Sequence, residues 1–122
     1  MHPGYRIGQV YLCRKPIDFR KAITGLSVMV EQELDLNPFG EALFVFINRA
    51  RNRIKILYWH RNGFCLWMKR LEAEKFAWLP VDLDVQDLTN KTISEQELTW
   101  LLEGYNIWQN KPHKVLSFTS VS

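Results

Sequence analysis

The stretch from Ala42 to Leu71, ALFVFINRARNRIKILYWHRNGFCLWMKRL, decides the fold. It contains three runs rich in aromatic and branched residues, ALFVFI, RIKILYW and FCLWMKRL, which are separated by the short polar breaks NRARN and HRNG. Runs of this kind joined by short polar breaks predict an antiparallel β-meander. Asn62 and Gly63 supply the positive φ that a tight hairpin turn needs. A fourth run, KFAWL, follows the break EAE and extends the predicted meander.

Two helices are predicted on either side of this meander. The first lies in PIDFRKAITGLSVMVEQEL, with Asp18 as its N-cap. Its apolar residues recur at steps of three and four, which is one helical face: Phe19, Ile23, Leu26, Val30 and Leu34. The second lies in ISEQELTWLLEG, where Ser94 and Glu97 form a capping box and Gly104 ends the helix.

The remaining segments complete a single domain. The chain has 122 residues, a length that fits one domain over residues 1–122. QVYLC, from Gln9 to Cys13, predicts a short strand, while PVDLDVQDLTNK is an acidic, irregular connection. Residues 116–122 are expected to be a frayed tail. The predicted fold class is α+β, with a central antiparallel β-meander, one helix before it and one after it.

Composition and cysteine usage indicate an ordinary globular protein of a reducing compartment. The hydrophobic fraction is 47%, the charged fraction 24% and the net charge +3. Cys13 and Cys65 are isolated, without metal-type spacing, which is typical of reduced thiols. The N-terminal stretch lacks the apolar core of a secretion signal, and the longest apolar run, residues 42–47, is too short to span a bilayer. We therefore expect a cytoplasmic protein without a membrane partner.

Catalytic patterns are weak in this sequence. It has no G-x-S-x-G, P-loop or dinucleotide-binding glycine pattern, and its three histidines are scattered. Asp82, Asp84 and Asp87 together could hold a divalent metal, but their irregular context favours a solvated acidic loop. We expect no enzymatic activity, no cofactor and no metal site.

Charge is distributed unevenly along the chain. Residues 42–71 contain seven basic residues and no carboxylate, whereas residues 82–103 contain six carboxylates and Lys91 as the one basic residue. The seven are the candidate nucleic-acid-binding residues: Arg49, Arg51, Arg53, Lys55, Arg61, Lys69 and Arg70. The molecule is thus electrically two-ended.

The basic residues alternate with aromatic residues along the predicted strands. Arg53, Lys55 and Trp59 share one face, an arrangement in which cations meet phosphates and rings stack on bases. The same pattern fits a half-buried sheet whose basic residues are merely solvated and whose tryptophans belong to the core. Three arginines clustered around the first hairpin tip, Arg49, Arg51 and Arg53, favour binding. Without an accompanying Asn or Gln pattern, the expected contact with DNA does not read sequence.

Several of these segments resemble one family. They are the D-F-R-K segment (Asp18 to Lys21), F-V-F-x-N-R (Phe44 to Arg49), R-I-K-x-L-Y-W (Arg53 to Trp59) and G-F-x-L-W-x-K-R-L-E (Gly63 to Glu72). From about Val10 to Lys114 the sequence resembles the TnpB-type accessory protein, encoded by the second open reading frame of insertion sequences of the IS sixty-six group. The resemblance implies a small protein that assists transposition beside a separate transposase, which carries the catalytic carboxylates. It brings no known catalytic site.

Two functions remain open at this point. The first is a non-catalytic accessory protein that contacts DNA, or the transposase–DNA complex, through its basic hairpins. The second is a protein–protein adaptor that docks the transposase through the acidic helix, Ser94 to Glu103, without DNA binding of its own. Two-ended charge permits homo-oligomers but does not require them.

Overall fold

The computed structural model describes residues 8–79 and 90–108, which form a mixed sheet and two helices. In chain order the elements are β1 (Gln9–Cys13), α1 (Ile23–Gln32), β2 (Ala42–Ile47), β3 (Arg53–His60), β4 (Gly63–Arg70), β5 (Asn90–Ile93) and α2 (Glu95–Leu102). One helix precedes the meander and one follows it. The predicted α+β class is confirmed.

The sheet has the strand order β4-β3-β2-β1-β5. β2, β3 and β4 pair antiparallel in sequence order, which confirms the predicted meander. β1 pairs parallel with β2, and α1 provides the long crossover that a parallel pair requires. β5, which the sequence predicted to be irregular connection, pairs antiparallel with β1. It adds an edge to the sheet that the sequence pattern did not predict.

The centre of the sheet is buried on both faces. All six residues of β2 are buried, and they pack into two separate hydrophobic clusters. α1 covers one face with Leu26, Met29 and Val30, and α2 covers the opposite face with Leu98, Leu101 and Leu102. Each fully buried Leu or Phe side chain contributes about 1.5–3 kcal/mol. The two helices are therefore needed on opposite sides of one sheet.

The predicted fourth strand of the meander, KFAWL, is wrong. Phe76, Trp78 and Leu79 are buried, but the segment joins no strand ladder. The Trp78 indole N–H donates to the Arg14 carbonyl at 3.0 Å, and the Phe76 N–H donates to the Arg51 carbonyl at 2.7 Å. These bonds hold the run across the α2 face, where it fills the core between the sheet and the helix. A buried apolar run can serve either role, and the sequence pattern does not separate them.

Asp18 is not the N-cap of the first helix. α1 begins at Ile23, and its N-cap residue, Ala22, provides no side-chain cap. The Asp18 carboxylate instead accepts hydrogen bonds from the backbone N–H and the guanidinium of Arg20. Those bonds hold the pKa of Asp18 well below its usual range. The Asp18 carboxylate therefore binds Arg20 in the loop before α1 and does not cap the helix.

The turn between β3 and β4 is also shifted from its predicted position. Gly63 pairs with His60 as the first residue of β4, so the two-residue loop is Arg61 and Asn62. The residue with positive φ is Arg61, at 63°, rather than Gly63. The pairing register of β3 and β4 therefore places the turn one residue earlier in the chain than Asn62 and Gly63 had predicted.

The predicted capping box of α2 is confirmed. The Ser94 hydroxyl accepts from the Glu97 N–H at 3.0 Å, and the Glu97 carboxylate accepts from the Ser94 N–H at 2.8 Å. Gly104, with φ of 100°, follows the C-cap Glu103 and ends the helix as predicted.

Substituting Ser94→Ala removes the N-cap and should lower the free energy of unfolding by about 1 kcal/mol. The control is Ser27→Ala in α1, whose exposed hydroxyl donates only to the Thr24 carbonyl within the helix. Because alanine favours a helix interior, the control should leave stability unchanged or slightly higher. Denaturant unfolding of the two variants measures this difference; equal stabilities would contradict the role of the box.

Candidate nucleic-acid interface

The hairpin between β2 and β3 is organised by Asn48. Its side-chain oxygen accepts from the backbone N–H groups of Asn52, at 3.0 Å, and Arg53, at 2.9 Å. Its amide donates to the Asn52 side chain at 2.7 Å, and its backbone N–H donates to the Arg53 carbonyl. The sequence pattern did not predict this role. An Asn at the start of a predicted turn could have indicated it, because Asn side chains commonly bond to nearby backbone groups in turns.

Asn48 thereby fixes the loop that carries three of the predicted arginines, Arg49, Arg51 and Arg53; we call residues 48–53 the arginine tip. Arg49 is exposed and Arg51 is half-exposed. Arg51 has φ of 63°, in the left-handed region, and its backbone bonds to Asn48 on one side and Phe76 on the other. The backbone of the loop is therefore held both by Asn48 and by the core segment at Phe76.

Arg53 and Arg70 extend the basic surface from the tip onto the sheet. They are paired residues of β3 and β4, so their side chains lie opposite each other on one face. Arg70 forms an ion pair with Glu72 at 3.1 Å. The Arg53 Nε is enclosed by protein and has no hydrogen-bond partner within the described part of the chain. Like charges in this position repel each other, and an anion would relieve that repulsion.

Lys55 follows Arg53 on the same face, but its ammonium group is turned inward. It donates to the carbonyls of Phe19, at 2.9 Å, and Lys21, at 3.0 Å, and it lies 4.8 Å from the centre of the Phe19 ring. Desolvation by burial lowers the pKa of Lys55, and the positive charge of Arg53 adds to that shift. The group binds the loop that leads into α1.

Lys69 lies on the opposite face of the sheet. Its ammonium group donates to the Leu102 carbonyl at 2.7 Å. Leu102 is the last residue of α2, where unpaired carbonyls and the negative end of the helix dipole favour a cation. Lys69 therefore stabilises the end of α2.

Arg61 lies at the other end of the meander from the arginine tip. Arg53 and His60, at the two ends of β3, are seven residue steps apart, roughly 23 Å at about 3.3 Å per residue. Beside the Arg61 turn, Phe39, Trp59 and Phe64 form an aromatic cluster with ring centroids 5.0–5.3 Å apart. Phe39 is 54% exposed. Of the seven predicted residues, the structure thus gathers Arg49, Arg51, Arg53 and Arg70 around the tip, and it separates Arg61 from them.

The described residues contain neither a metal-binding cluster nor a membrane-spanning helix. Residues 8–79 and 90–108 contain no cluster of three His, Cys, Asp or Glu side chains with metal-binding geometry. Asp82, Asp84 and Asp87, the weak metal candidates of the sequence, lie outside those ranges. Within the same ranges no helix is long and apolar enough to cross a bilayer.

Comparison with known proteins agrees with the sequence resemblance. The model of the family described as IS66 Orf2 like protein matches residues 8–112. The chain belongs to this family. It is 29% identical over 110 residues to the uncharacterized protein y4hO of Sinorhizobium fredii, with 90% of each chain covered. It is 33% identical over 73 residues to y4jC of the same organism, covering 60% of this chain and 62% of the relative. No solved structure matches.

Membership of the IS66 Orf2-like family gives the biological setting. The family is one of insertion-sequence accessory proteins, and it connects the chain with the IS66 transposition system. The matched region includes every described element, from β1 to α2, and the whole arginine tip. The tip is therefore part of the family domain.

Substituting Asn48→Ala should destabilise the protein by about 1–3 kcal/mol, because two backbone N–H groups of the hairpin lose their acceptor. The matched control is Asn62→Ala in the other hairpin, where the exposed side chain makes no hydrogen bond within the described residues. Thermal or denaturant unfolding compares the two. If both variants unfold alike, Asn48 does not organise the tip.

Substituting Lys69→Met keeps the apolar stem but removes the ammonium from the end of α2. We expect a loss of about 1 kcal/mol in stability, since a charged hydrogen bond to a helix C-terminus is removed. Lys75→Met, at an exposed position, changes the net charge equally and should leave stability unchanged. Denaturant unfolding of both variants provides the measurement, and equal effects would refute the capping role.

Proposed function

We propose that this accessory protein contacts duplex DNA, alone or within the transposase–DNA complex, through the arginine tip and the adjoining Arg70. The contacting side chains are Arg49, Arg51, Arg53 and Arg70. They bind phosphates and do not read base sequence. Lys55 and Lys69 were also predicted to bind nucleic acid, but their ammonium groups already donate to backbone carbonyls, so the proposal does not use them.

The grouping of Arg49, Arg51, Arg53 and Arg70 around one anchored hairpin is the observation that carries the proposal, and the backbone conformation of Arg51 adds to it. A left-handed φ costs an ordinary residue about 1–2 kcal/mol, and glycine or asparagine is usual at such positions. The turn geometry therefore gives no reason for an arginine. Arg61 has the same conformation but stands alone at the other turn, so this backbone strain supports binding only where other arginines lie beside it, as they do at the tip.

Within residues 8–79 and 90–108, the arginines of the tip form no ion pair with a carboxylate. The ion pairs found within the described residues are Arg20 with Asp18 and Arg70 with Glu72. Arg49, Arg51 and Arg53 are in neither of them. Several guanidinium groups on one anchored hairpin complement the phosphates of DNA, and binding releases condensed counterions.

The test compares Arg51→Gly with Arg61→Gly in a titration of duplex DNA at several salt concentrations. Four phosphate contacts predict a slope of log K against log salt of about −3.6, and three contacts predict about −2.7. Arg51→Gly should produce the smaller slope and weaken unrelated sequences equally. Both arginines have φ of 63°, so either glycine relieves the same backbone strain. Arg61→Gly should leave the slope unchanged.

Stability measurements separate lost binding from lost folding. Each glycine variant should be as stable as the parent, or more stable by up to about 1 kcal/mol, because relief of the left-handed φ offsets the entropy of glycine. Weaker DNA binding by Arg51→Gly would then be an effect on contact alone. The proposal is wrong if no complex with duplex DNA forms near 50 mM salt, or if the two variants lose affinity equally.

A second candidate function is supported by the surface around α2. Trp100 is 43% exposed and Tyr105 is 62% exposed, and Glu95 and Glu103 at the two ends of α2 are exposed as well. Exposed aromatic residues are enriched at protein interfaces, and the carboxylates would suit a basic partner such as the transposase. In this adaptor function, reversing the charges of Glu97 and Glu103 abolishes transposase binding, and the protein alone binds no DNA.

A further inference from the structure

β4 is an edge strand of the sheet, bonded to β3 on one side. Its eight residues pair with β3 without interruption, from Arg53 with Arg70 to His60 with Gly63. The strand contains no proline, and no bulge interrupts its register. Within the described residues no other segment pairs with its outer side. A long, regular edge of this kind is a template for pairing with another strand.

The side chains of β4 are apolar for most of its length. No residue of the strand is fully buried, and Met68 is 53% exposed. Its charges lie only at the carboxyl end, at Lys69 and Arg70. β5, the other edge, has four residues. Among the described residues, β4 is therefore the longer of the two edges that have no strand on their outer side.

We propose that β4 pairs antiparallel with β4 of a second copy of this chain, with the two-fold axis at Leu66. A two-fold axis perpendicular to the sheet keeps α1 of both copies on the same face of the combined sheet. Even-numbered residues of one β4 then lie opposite even-numbered residues of the other. Leu66 then faces its own counterpart, and Met68 faces the partner's Phe64. Lys69 of each strand then lies opposite Gly63 of the other, and Arg70 lies opposite Asn62.

Side-chain chemistry selects this register. The exposed thioether of Met68 would contact the Phe64 ring, and such sulfur–aromatic contacts are favourable. Symmetry provides two of them in each dimer, next to the cluster of Phe39, Trp59 and Phe64. A two-fold axis at Trp67 would instead place Cys65 opposite Lys69, whose ammonium group is held by Leu102.

The dimer is independent of the DNA contact proposed above. The arginine tip adjoins the carboxyl end of β4, so the antiparallel arrangement puts the two tips at opposite ends of one ten-stranded sheet. Failure of DNA binding would leave the dimer unaffected, and a monomer could still bind DNA.

Cross-linking tests the register directly. In a Cys65→Ser background, Leu66→Cys should form a disulfide-linked dimer under mild oxidation, because opposite residues of antiparallel strands have Cα atoms about 4.5–5.5 Å apart. Cys13 should not compete, since it is buried and burial raises the pKa of its thiol to about 11. Val28→Cys, on the outer surface of α1, is the control and should not cross-link at the same concentration.

Sedimentation equilibrium tests the interface without cysteine. The parent chain should sediment as a dimer, and Met68→Glu should raise its dissociation constant by at least about tenfold, since two apolar contacts are replaced by two carboxylates. Val28→Glu, at a similarly exposed position, should not change it. A monomer at every concentration would overturn the proposal and mean that another segment or another protein covers β4. The proposal would also be overturned if Met68→Glu left the dimer intact and Leu66→Cys formed no cross-linked dimer.

Discussion

Burial of β2 on both of its faces is the constraint on which the rest of the structure depends. Six consecutive apolar residues cannot be covered by a sheet with one wet side, so each face needs its own layer. α1 provides one layer as the crossover between two parallel strands. α2 and the run from Phe76 to Leu79 provide the other. The positions of both helices follow from the need to exclude water from this strand.

The same constraint makes the arginine tip a fixed surface. β2 ends at Ile47. The side-chain oxygen of the next residue, Asn48, accepts a hydrogen bond from the loop backbone, and Asn48 also forms a β-bridge with Ile17. The carbonyl of Arg51 is bonded to the core segment through Phe76. A loop held this way loses little conformational entropy when its arginines meet phosphates, which favours binding. Two other cations, Lys55 and Lys69, hold the helices onto the sheet.

The sequence predicted what depends on local pattern. Alternation and short polar breaks were enough for the three strands of the meander, and the spacing of Ser94 and Glu97 was enough for the capping box. Long-range contacts decided what it missed. Lys55 and Lys69 bond to carbonyls 33–36 residues away, and a pattern of charges contains no information about such partners. β5 is a strand because β1 offers it a free edge, although its own residues, NKTI, carry little apolar signal.

Within the candidate site, the sequence identified the residues of the arginine tip but not their arrangement. The register of β3 and β4 decides that Arg70 joins Arg53 and that Arg61 does not. The most direct test of the account is a residue-resolved NMR titration of the protein with duplex DNA at low salt. We predict amide shift changes at residues 48–53 and 70–72, with none around Arg61 or α2. Changes centred on α2 or the Arg61 turn, or none at all, would contradict the account.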